Sequence, residues 1–252
     1  MTGRAKSFGS AAAAYERYRP GYPDELVDTV LIYAGRPVRT ALEIGAGTGK
    51  ATRAFADRGI AVTATEPDEA MLDELRRHVP ASVTTVQATF ENLSTTRTYD
   101  LVFAAASLHW TAPVGRWPRV AALLATSGTF ACFGGQLELS DLDVERAARS
   151  AREPYLRDDD IVVPDLRPAG SQLRWPGSEL LDCGLFTDVR ESTIPQSETV
   201  SASDYVGHLS TVSAYLLLPP AVRRVALTRM LEVLPDQVNV TADITLHTAR
   251  LA

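Results

Sequence analysis

The first half of the chain alternates between short apolar runs and segments in which apolar residues recur every three or four positions. The apolar runs predict buried parallel strands at 40–44, 60–65, 83–86, 101–106 and 129–133. The periodic segments predict amphipathic helices at 26–31, 51–55, 71–79 and 117–124. Strands that alternate with helices form βαβ units. We therefore expect a Rossmann-like, doubly wound α/β fold, with a mostly parallel sheet that carries helices on both faces.

The pattern changes after Gly135, where a charged stretch interrupted by prolines begins. This second half predicts a helix at 142–152, a strand at 186–194, and helices at 204–218 and 221–234. From Val238 to Leu246 apolar and polar residues alternate strictly, and the alternation shifts by one residue near His247. That pattern predicts a final antiparallel strand with one wet face and a bulge.

Composition narrows the classes of partner and compartment. The net charge of −6 argues against a nucleic acid as the main partner, because nucleic-acid binding depends on cationic surface. No apolar stretch reaches the roughly 18–20 residues of a membrane-spanning helix. The two cysteines, Cys132 and Cys183, form neither a disulfide framework nor a zinc motif, which favours a reducing cytoplasm. Lysine occurs only at Lys6 and Lys50 while alanine is abundant, a bias typical of bacteria with GC-rich genomes.

A glycine cluster and a later acid predict a nucleoside site. Gly45, Gly47 and Gly49 lie between the first predicted strand and the next helix, where glycine lets backbone N–H groups approach a ligand. Lys50 replaces the third glycine of the dinucleotide fingerprint G-x-G-x-x-G, which disfavours a pyrophosphate without forbidding it. Glu66 follows Gly45 by 21 residues, close to the ~20 expected for an acid that binds ribose hydroxyls. The alternative for Glu66 is an exposed glutamate that caps the following helix.

Further motifs accompany the loop and the acid. They lie at 43–49, 65–71, 87–93, 99–103 and 108–110, with Phe8, Tyr15, Arg19-Pro20 and Tyr22-Pro23 upstream. Together, over residues 8–134, they resemble the motifs of the class I S-adenosylmethionine-dependent methyltransferases. The segment Leu108-His109-Trp110 is similar to that of a small-molecule subgroup, which includes trans-aconitate-methyltransferase-like and methyltransferase type 11-like proteins. Thr89 stands where many relatives carry Asp, so the adenine amine would meet a weaker hydroxyl or a backbone group.

The resemblance implies S-adenosylmethionine as the cofactor and assigns its site. The implied cofactor-binding residues are Tyr15, Arg19, Glu43, Gly45, Ala46, Gly47, Glu66, Pro67, Met71, Thr89, Phe90 and Ala104. By this resemblance the glycine backbone lies against the methionine portion, Glu66 holds the ribose, and Thr89 with Phe90 meets the adenine edge. Met71 covers an adenine face or is a plain core residue, and the two roles are compatible. Arg19 pairs with the cofactor carboxylate, unless the N-terminal helix is only a surface element.

His109 is the expected catalytic residue. It follows the fourth strand, at the edge where open α/β sheets bind ligands, and a pKa near 6.5 suits proton transfer. It can instead orient the substrate or be structural. The implied substrate-binding residues are Tyr22, Trp110, Tyr205, His208 and Tyr215, although Tyr205 also fits an ordinary helix stripe. The three aspartates at 158–160 are typical of a solvated loop, so we expect no metal.

We expect one domain spanning 1–252. Residues 1–35 would form an N-terminal lid segment, 36–135 would bind the cofactor, and 136–252 would cover the substrate and supply the last two strands. The expected function is S-adenosylmethionine-dependent methyl transfer to a small-molecule acceptor, most simply O-methylation of a carboxylate or hydroxyl, with N- or C-methylation open. Two alternatives remain at this point: an NAD-dependent oxidoreductase, and a non-catalytic methyltransferase-like binding module.

Overall fold

A seven-stranded sheet with helices on both faces organises residues 9–157 and 172–252, the part of the chain that the computed structural model describes. Its helices are α1 (Ala12–Tyr18), α2 (Asp24–Ala34), α3 (Lys50–Ala56), α4 (Glu69–His78), α5 (Arg116–Leu123), α6 (Leu142–Arg152), α7 (Gly177–Asp182), α8 (Ala202–Leu209), α9 (Ser213–Leu216) and α10 (Pro220–Val233). The strands of the described residues, seven in this sheet and three in a second one, are β1 (Thr40–Ile44), β2 (Ala61–Thr65), β3 (Thr84–Val86), β4 (Tyr99–Ala105), β5 (Leu124–Gly134), β6 (Glu138–Leu139), β7 (Phe186–Ile194), β8 (Ser197–Ser201), β9 (Gln237–Thr241) and β10 (Ile244–Leu251).

The strand order of the large sheet is β3-β2-β1-β4-β5-β10-β7. Neighbours from β3 to β5 are parallel, and β10 is antiparallel to both β5 and β7. The chain proceeds from β1 toward one edge and returns at β4 to build the other, so the direction of winding switches between β1 and β4. This topology confirms the predicted doubly wound fold with an antiparallel C-terminal strand. In such sheets ligands bind at the switch point, outside the carboxyl ends of the strands.

Each face of the sheet carries its own hydrophobic core. On one face Val102 and Phe130 pack with Trp117 of α5 and Leu180 of α7. On the other face the neighbouring residue Phe103 packs with side chains of α2 and α3, and its ring centroid lies 4.4 Å from that of Phe55. Because both faces are covered, β4 is a continuous apolar run rather than an alternating one.

A second, smaller sheet lies in the second half of the chain. Its order is β6-β9-β8, and both pairings are antiparallel. Leu139 and Val240 of this sheet join Tyr205 of α8 and Met230 of α10 in a separate hydrophobic core. The small sheet, together with α6, α8 and α9, therefore forms a layer distinct from the large sheet.

The C-terminal tail differs from its prediction as one alternating strand. It forms two strands in two different sheets, β9 and β10, separated at residues 242–243. The alternation describes β9, whose Val238 and Val240 are buried between exposed neighbours. The prediction of a solvent-exposed face was wrong for β10, because β5 and β7 flank this strand and α2 and α7 pack on it. The predicted bulge is present as a register shift between Thr248 and Arg250.

The predicted helix at 204–218 is also two elements, α8 and α9. The chain breaks at Thr211, whose hydroxyl donates to the His208 carbonyl at 2.7 Å. The same hydroxyl oxygen accepts the Arg19 Nε–H at 2.8 Å. A side chain 192 positions away thus stabilises the turn, which local periodicity could not reveal.

A carboxyl group lies inside the sheet at Glu43 of β1. The Thr52 hydroxyl donates to its Oε2 at 2.5 Å, while Oε1 is buried and has no hydrogen-bond partner within residues 9–157 and 172–252. Burial raises the pKa of Glu43 to about 8, with nearby Glu66 adding to the shift and the Thr52 hydrogen bond opposing it. The folded protein therefore holds this carboxyl protonated at neutral pH.

Because Glu43 is buried, we expect the free energy of unfolding to depend on pH, and we expect the Glu43→Gln substitution to remove this dependence. The folded state keeps the Glu43 proton up to pH 8, whereas the unfolded chain loses it near its ordinary pKa of 4.5. The free energy of unfolding should thus fall as pH rises from 4.5 to 8, by up to about 1.4 kcal/mol per pH unit from this group. Urea denaturation at several pH values measures the slope. We expect Glu43→Gln to flatten it and Glu69→Gln, at an exposed position of α4, to leave it unchanged; equal slopes for both variants would contradict the assignment.

Candidate active site

The glycine loop after β1 lies at the carboxyl edge of the large sheet. Gly45 and Gly47 have φ angles of +66° and +57°, a left-handed region that glycine enters without steric cost. A Cβ on Gly45 would lie 2.8 Å from the Cβ of Ser107, so the loop packs directly against the chain that follows β4. The Ser107 hydroxyl also donates to the Ile44 carbonyl. Two loops on either side of the switch point are therefore joined.

Glu66 follows β2 and reaches back to the glycine loop. Its Oε2 accepts the Gly47 N–H at 2.9 Å, and its Oε1 accepts the Asp68 N–H at 2.9 Å. Burial raises the pKa of Glu66, and these two backbone hydrogen bonds oppose that shift. The exposed-cap alternative does not hold, because the side chain is buried and Asp68 caps α4 by accepting the Met71 N–H. Each clamped carboxylate oxygen retains an accepting position for a ligand hydroxyl.

His109 and Trp110 lie in a short turn, Leu108–Trp110, that follows β4. Their ring centroids are 4.5 Å apart, and both side chains line the cleft. Desolvation, with a smaller contribution from the Arg116 guanidinium, lowers the pKa of His109 to about 4. Arg116 is buried and held by the Thr111 carbonyl and by Glu179. His109 is therefore a neutral imidazole at pH 7, able to accept a proton.

The predicted adenine-facing residues lie on the opposite side of the loop. Met71 is buried on α4, and a Cβ on Gly47 would lie 3.5 Å from its Cε, so its methyl group covers the loop. Thr89 and Phe90 line the same cleft. The Phe90 carbonyl accepts the Arg119 Nε–H at 2.6 Å, which fixes this segment against α5. Met71 thus packs in the interior and also lines the cleft, as both of its predicted roles require.

The N-terminal segment crosses the cleft and contacts both halves of the chain. Arg19 donates from Nη2 to the Thr211 carbonyl at 3.2 Å, and its guanidinium carbon lies 5.2 Å from the centroid of the Tyr15 ring. Tyr22 packs edge-on against Phe133 with centroids 5.0 Å apart, and burial raises the pKa of its hydroxyl. The residues that follow α1 therefore pack against both halves of the chain, and the predicted role of Arg19 toward a cofactor carboxylate stays a prediction.

A second set of contacts fastens α1 to the glycine loop. The Glu16 carboxylate lies 2.8 Å from Arg53 Nη2 and 3.7 Å from Lys50 Nζ. Lys50 also donates to the Glu16 carbonyl at 2.7 Å. Lys50, whose position had argued against a dinucleotide, therefore serves as an anchor for the segment over the cleft. Nothing local in the sequence indicated this role, because Glu16 and Lys50 are 34 residues apart.

The predicted substrate residues of the second half lie at the far end of the cleft. Tyr205, His208 and Tyr215 line it, and all three are buried. The Tyr215 hydroxyl donates to the Met230 sulfur at 3.2 Å. Burial and nearby Arg19 lower the pKa of His208 to about 3, although the Tyr18 carbonyl opposes the shift. Tyr205 and Tyr215 also belong to the hydrophobic core of the second layer. The apolar helix stripe predicted for Tyr205 therefore both packs in that core and lines the cleft.

One continuous cavity of about 1120 Å³ brings the predicted site residues together. Its walls include Tyr15, Arg19, Tyr22, Glu43, Gly45, Ala46, Gly47, Glu66, Pro67, Met71, Thr89, Phe90, His109, Trp110, Tyr205, His208 and Tyr215. Ala104 of β4, predicted as a cofactor-binding residue, does not line the cavity: its side chain is fully buried in the core, and Ala105 and Ala106 line the cavity instead. Among the described residues, no group of three His, Cys, Asp or Glu side chains is positioned for a metal. The aspartates at 158–160 lie outside the described residues.

Ala106 is a cleft residue that the sequence analysis missed. It adopts φ +50° without being glycine, and its N–H donates to the Phe133 carbonyl at 2.8 Å. A non-glycine residue in this region costs about 1–3 kcal/mol and persists only where its surroundings enforce it. A Cβ on Gly134 would lie 3.3 Å from that of Ala106, so β5 confines the turn closely. An alanine gives no sequence indication of such a conformation.

Comparison with known proteins identifies the cofactor half. Residues 41–128 match the family described as "Methyltransferase domain". An uncharacterized methyltransferase of Mycobacterium tuberculosis is 42% identical over 122 residues, which are 48% of this chain and 49% of the relative. A "Probable S-adenosylmethionine-dependent methyltransferase" of Saccharomyces cerevisiae is 31% identical over 133 residues, 50% of this chain and 45% of the relative. The chain thus spans about half the length of the curated relatives it matches.

A solved structure extends the likeness of fold to nearly the whole chain. It is that of a "Putative Type II Methyltransferase" from Anaeromyxobacter dehalogenans, with a TM-score of 0.64 and 23% identity. The match covers 92% of this chain and 98% of that one, so the second half shares its fold as well. The glycine loop, the clamped acid and the domain match lead to one family. Residues 41–128 therefore form a class I S-adenosylmethionine-dependent methyltransferase domain, and the cofactor of that class is S-adenosylmethionine.

Proposed function

We propose that this protein methylates a small-molecule acceptor at oxygen, on a carboxylate or a hydroxyl group. One observation carries the proposal: the cavity that begins at the glycine loop and Glu66 continues without interruption past His109 and under the second layer. A methyl donor in the first part would face an acceptor in the second. Nitrogen and carbon acceptors fit the same cavity, and the small-molecule subgroup remains a prediction.

The residues at the loop fit S-adenosylmethionine. Glu66 offers accepting positions for ribose hydroxyls, and Met71 with Phe90 supplies apolar surface for a base. Arg19 directs two of its N–H groups to Thr211 and retains others for a carboxylate. Glu43, whose buried Oε1 has no hydrogen-bond partner among the described residues, also lines the cavity. When bound, the cofactor supplies a sulfonium methyl group for in-line displacement.

The chain's own contribution is to position the acceptor, exclude water and accept a proton. Holding two reactants in line can supply about 7–11 kcal/mol of the barrier. Tyr22 and Trp110 wall the region beside His109, and the segment tied down by Arg19 closes it from outside. A hydroxyl acceptor arrives protonated, and the neutral His109 can take its proton. A carboxylate arrives ionised and needs no base.

Charge and location complete the proposal. We infer a bacterial, cytoplasmic enzyme that uses neither nucleic acid nor a membrane as its partner, supported by the net charge of −6 and the cysteine content. Among the described residues, none of the helices has the length and apolar character needed to cross a bilayer. The second candidate is a non-catalytic module, since an intact cofactor site alone does not establish turnover. The oxidoreductase alternative is disfavoured by the match to methyltransferases.

Incubation with S-adenosylmethionine and matched acceptors tests the activity. Benzoate, phenol and aniline share one ring and differ in the nucleophile. We expect release of S-adenosylhomocysteine with a methyl ester or methyl ether, both measured by mass spectrometry. If methylaniline were the sole product, the accepting atom would be nitrogen and the proposal of an oxygen acceptor would be wrong. Tight S-adenosylhomocysteine binding with no product from a wide acceptor set would instead support the non-catalytic module, and selective NADH binding would overturn both.

Glu66→Ala should weaken binding of S-adenosylhomocysteine by about 10- to 100-fold, because hydrogen bonds to a charged group contribute about 1.5–3 kcal/mol. Isothermal titration calorimetry measures the dissociation constant. Glu69→Ala is the matched control, since it removes an exposed carboxylate from the first turn of α4. Unchanged affinity in Glu66→Ala, with the fold intact by circular dichroism, would remove Glu66 from the site.

His109→Ala should lower turnover of a hydroxyl acceptor by about 10²–10⁴-fold with S-adenosylhomocysteine affinity unchanged. The deficit should shrink at high pH, where the acceptor ionises by itself, and should be small for a carboxylate. Because the pKa of His109 is about 4, the wild-type rate should show no loss from its protonation between pH 6 and 8. Initial rates across this range provide the measurement, with His78→Ala on α4 as control. A near-normal rate for the hydroxyl acceptor would exclude His109 as the base.

A further inference from the structure

The cavity is larger than its cofactor part requires. A drug-sized ligand, a class that includes S-adenosylmethionine, occupies a pocket of about 300–1,000 Å³. The cavity measures about 1120 Å³ and continues from His109 to α6, α8 and α9. The far part, which we call the distal chamber, is lined by Leu139, Glu145, Arg149, Arg152, Tyr205, Leu209, Val212 and Ser213. The cavity therefore exceeds the usual pocket of one such ligand, and its lining extends beyond the residues expected around the cofactor.

One wall of the distal chamber is charged. Leu142, Glu145, Arg149 and Arg152 of α6 are spaced by three, four and three residues, so they share one helix face, and all four line the cavity. Glu145 and Arg149 form an ion pair with an Nη2–Oε1 distance of 3.0 Å. The apolar face of the same helix, at Ala148, packs into the core of the second layer. The polar face of α6 thus adjoins the cavity.

The facing wall is apolar and aromatic. Leu209 of α8 and Val212 of the following turn line the chamber with the rings of Tyr205 and Tyr215. Leu139 of β6 continues this surface. Of these residues Val212 is half-buried, whereas Leu139, Tyr205, Leu209 and Tyr215 are already buried. An acceptor with an apolar body would therefore gain mainly close packing against this wall, and would bury further apolar area at Val212.

We propose that the acceptor is an elongated amphipathic molecule of drug size, with its nucleophile at His109, its apolar body on Leu209 and Val212, and a polar end at the α6 face. This inference rests on the proposed methyl transfer and narrows its substrate class. Both signs of charge lie on α6, so the polar end is a neutral hydrogen-bonding or zwitterionic group. Acceptors of only a few heavy atoms would lack most of these contacts.

Two phenols with the same nucleophile and different bodies test the size requirement. Catechol and quercetin both carry a vicinal phenol, and quercetin adds an apolar ring system with a hydroxylated far end. With the wild-type protein saturated by S-adenosylhomocysteine, calorimetry should show quercetin binding at least about tenfold more tightly than catechol. Equal affinities, or no quercetin binding to a complex that holds S-adenosylhomocysteine, would overturn the inference. Loss of S-adenosylhomocysteine binding by the wild-type protein would instead refute the proposed function.

Variants that fill the chamber locate the binding site. Leu142→Trp is at an exposed cavity-lining position, and Ser213→Trp fills the chamber from the opposite wall. Each should weaken quercetin binding by at least about tenfold while catechol and S-adenosylhomocysteine stay within about twofold, because the added ring competes for chamber volume. Arg146→Trp is the matched control, since Arg146 is on α6 and exposed outside the cavity. Equal losses in Leu142→Trp and Arg146→Trp, or no loss in either cavity variant, would place the ligand elsewhere.

Discussion

The site depends on hydrogen bonds that hold three strand ends together at the switch point of the sheet. The Gly47 N–H donates to Glu66, and the Ser107 hydroxyl donates to the Ile44 carbonyl. The loops that follow β1, β2 and β4 are thus hydrogen-bonded to one another. Because glycine lacks a Cβ, Gly45 and Ser107 can pack closely enough for this arrangement. The cavity-lining residues at these strand ends therefore meet at one junction.

Burial sets the charge state of the ionisable groups around the cavity. Desolvation raises the pKa of Glu43 and Tyr22 and lowers the pKa of His109 and His208, which favours the neutral form in every case. A neutral imidazole beside an acceptor can take a proton, whereas an imidazolium could not. Arg116 adds to the effect at His109 because a buried cation opposes a second positive charge nearby. Desolvation therefore leaves both Glu43 and His109 neutral at pH 7, and at His109 it also weakens the imidazole as a proton acceptor.

The N-terminal segment links the cofactor half to the second layer. Glu16 contacts Lys50 and Arg53 beside the glycine loop, while Arg19 contacts Thr211 at the break between α8 and α9. A segment anchored at both places covers the cavity where a methyl donor and an acceptor would meet. Its contacts are charged or charge-assisted and only partly exposed, so they are stronger than a solvent-exposed surface pair.

By itself, the sequence determined the doubly wound sheet and the place of the glycine loop and the acid that form the candidate site. Continuous apolar runs predict strands that are covered on both faces. The spacing from Gly45 to Glu66 predicts that the glycine loop and the acid lie at the ends of adjacent strands. Only tertiary structure decided the division of the tail between β9 and β10, the break at Thr211, the strained Ala106 and the anchoring role of Lys50. These features arise from partners distant in the chain. Local periodicity and propensity indicate whether a residue is buried, but they do not indicate which distant side chain contacts it.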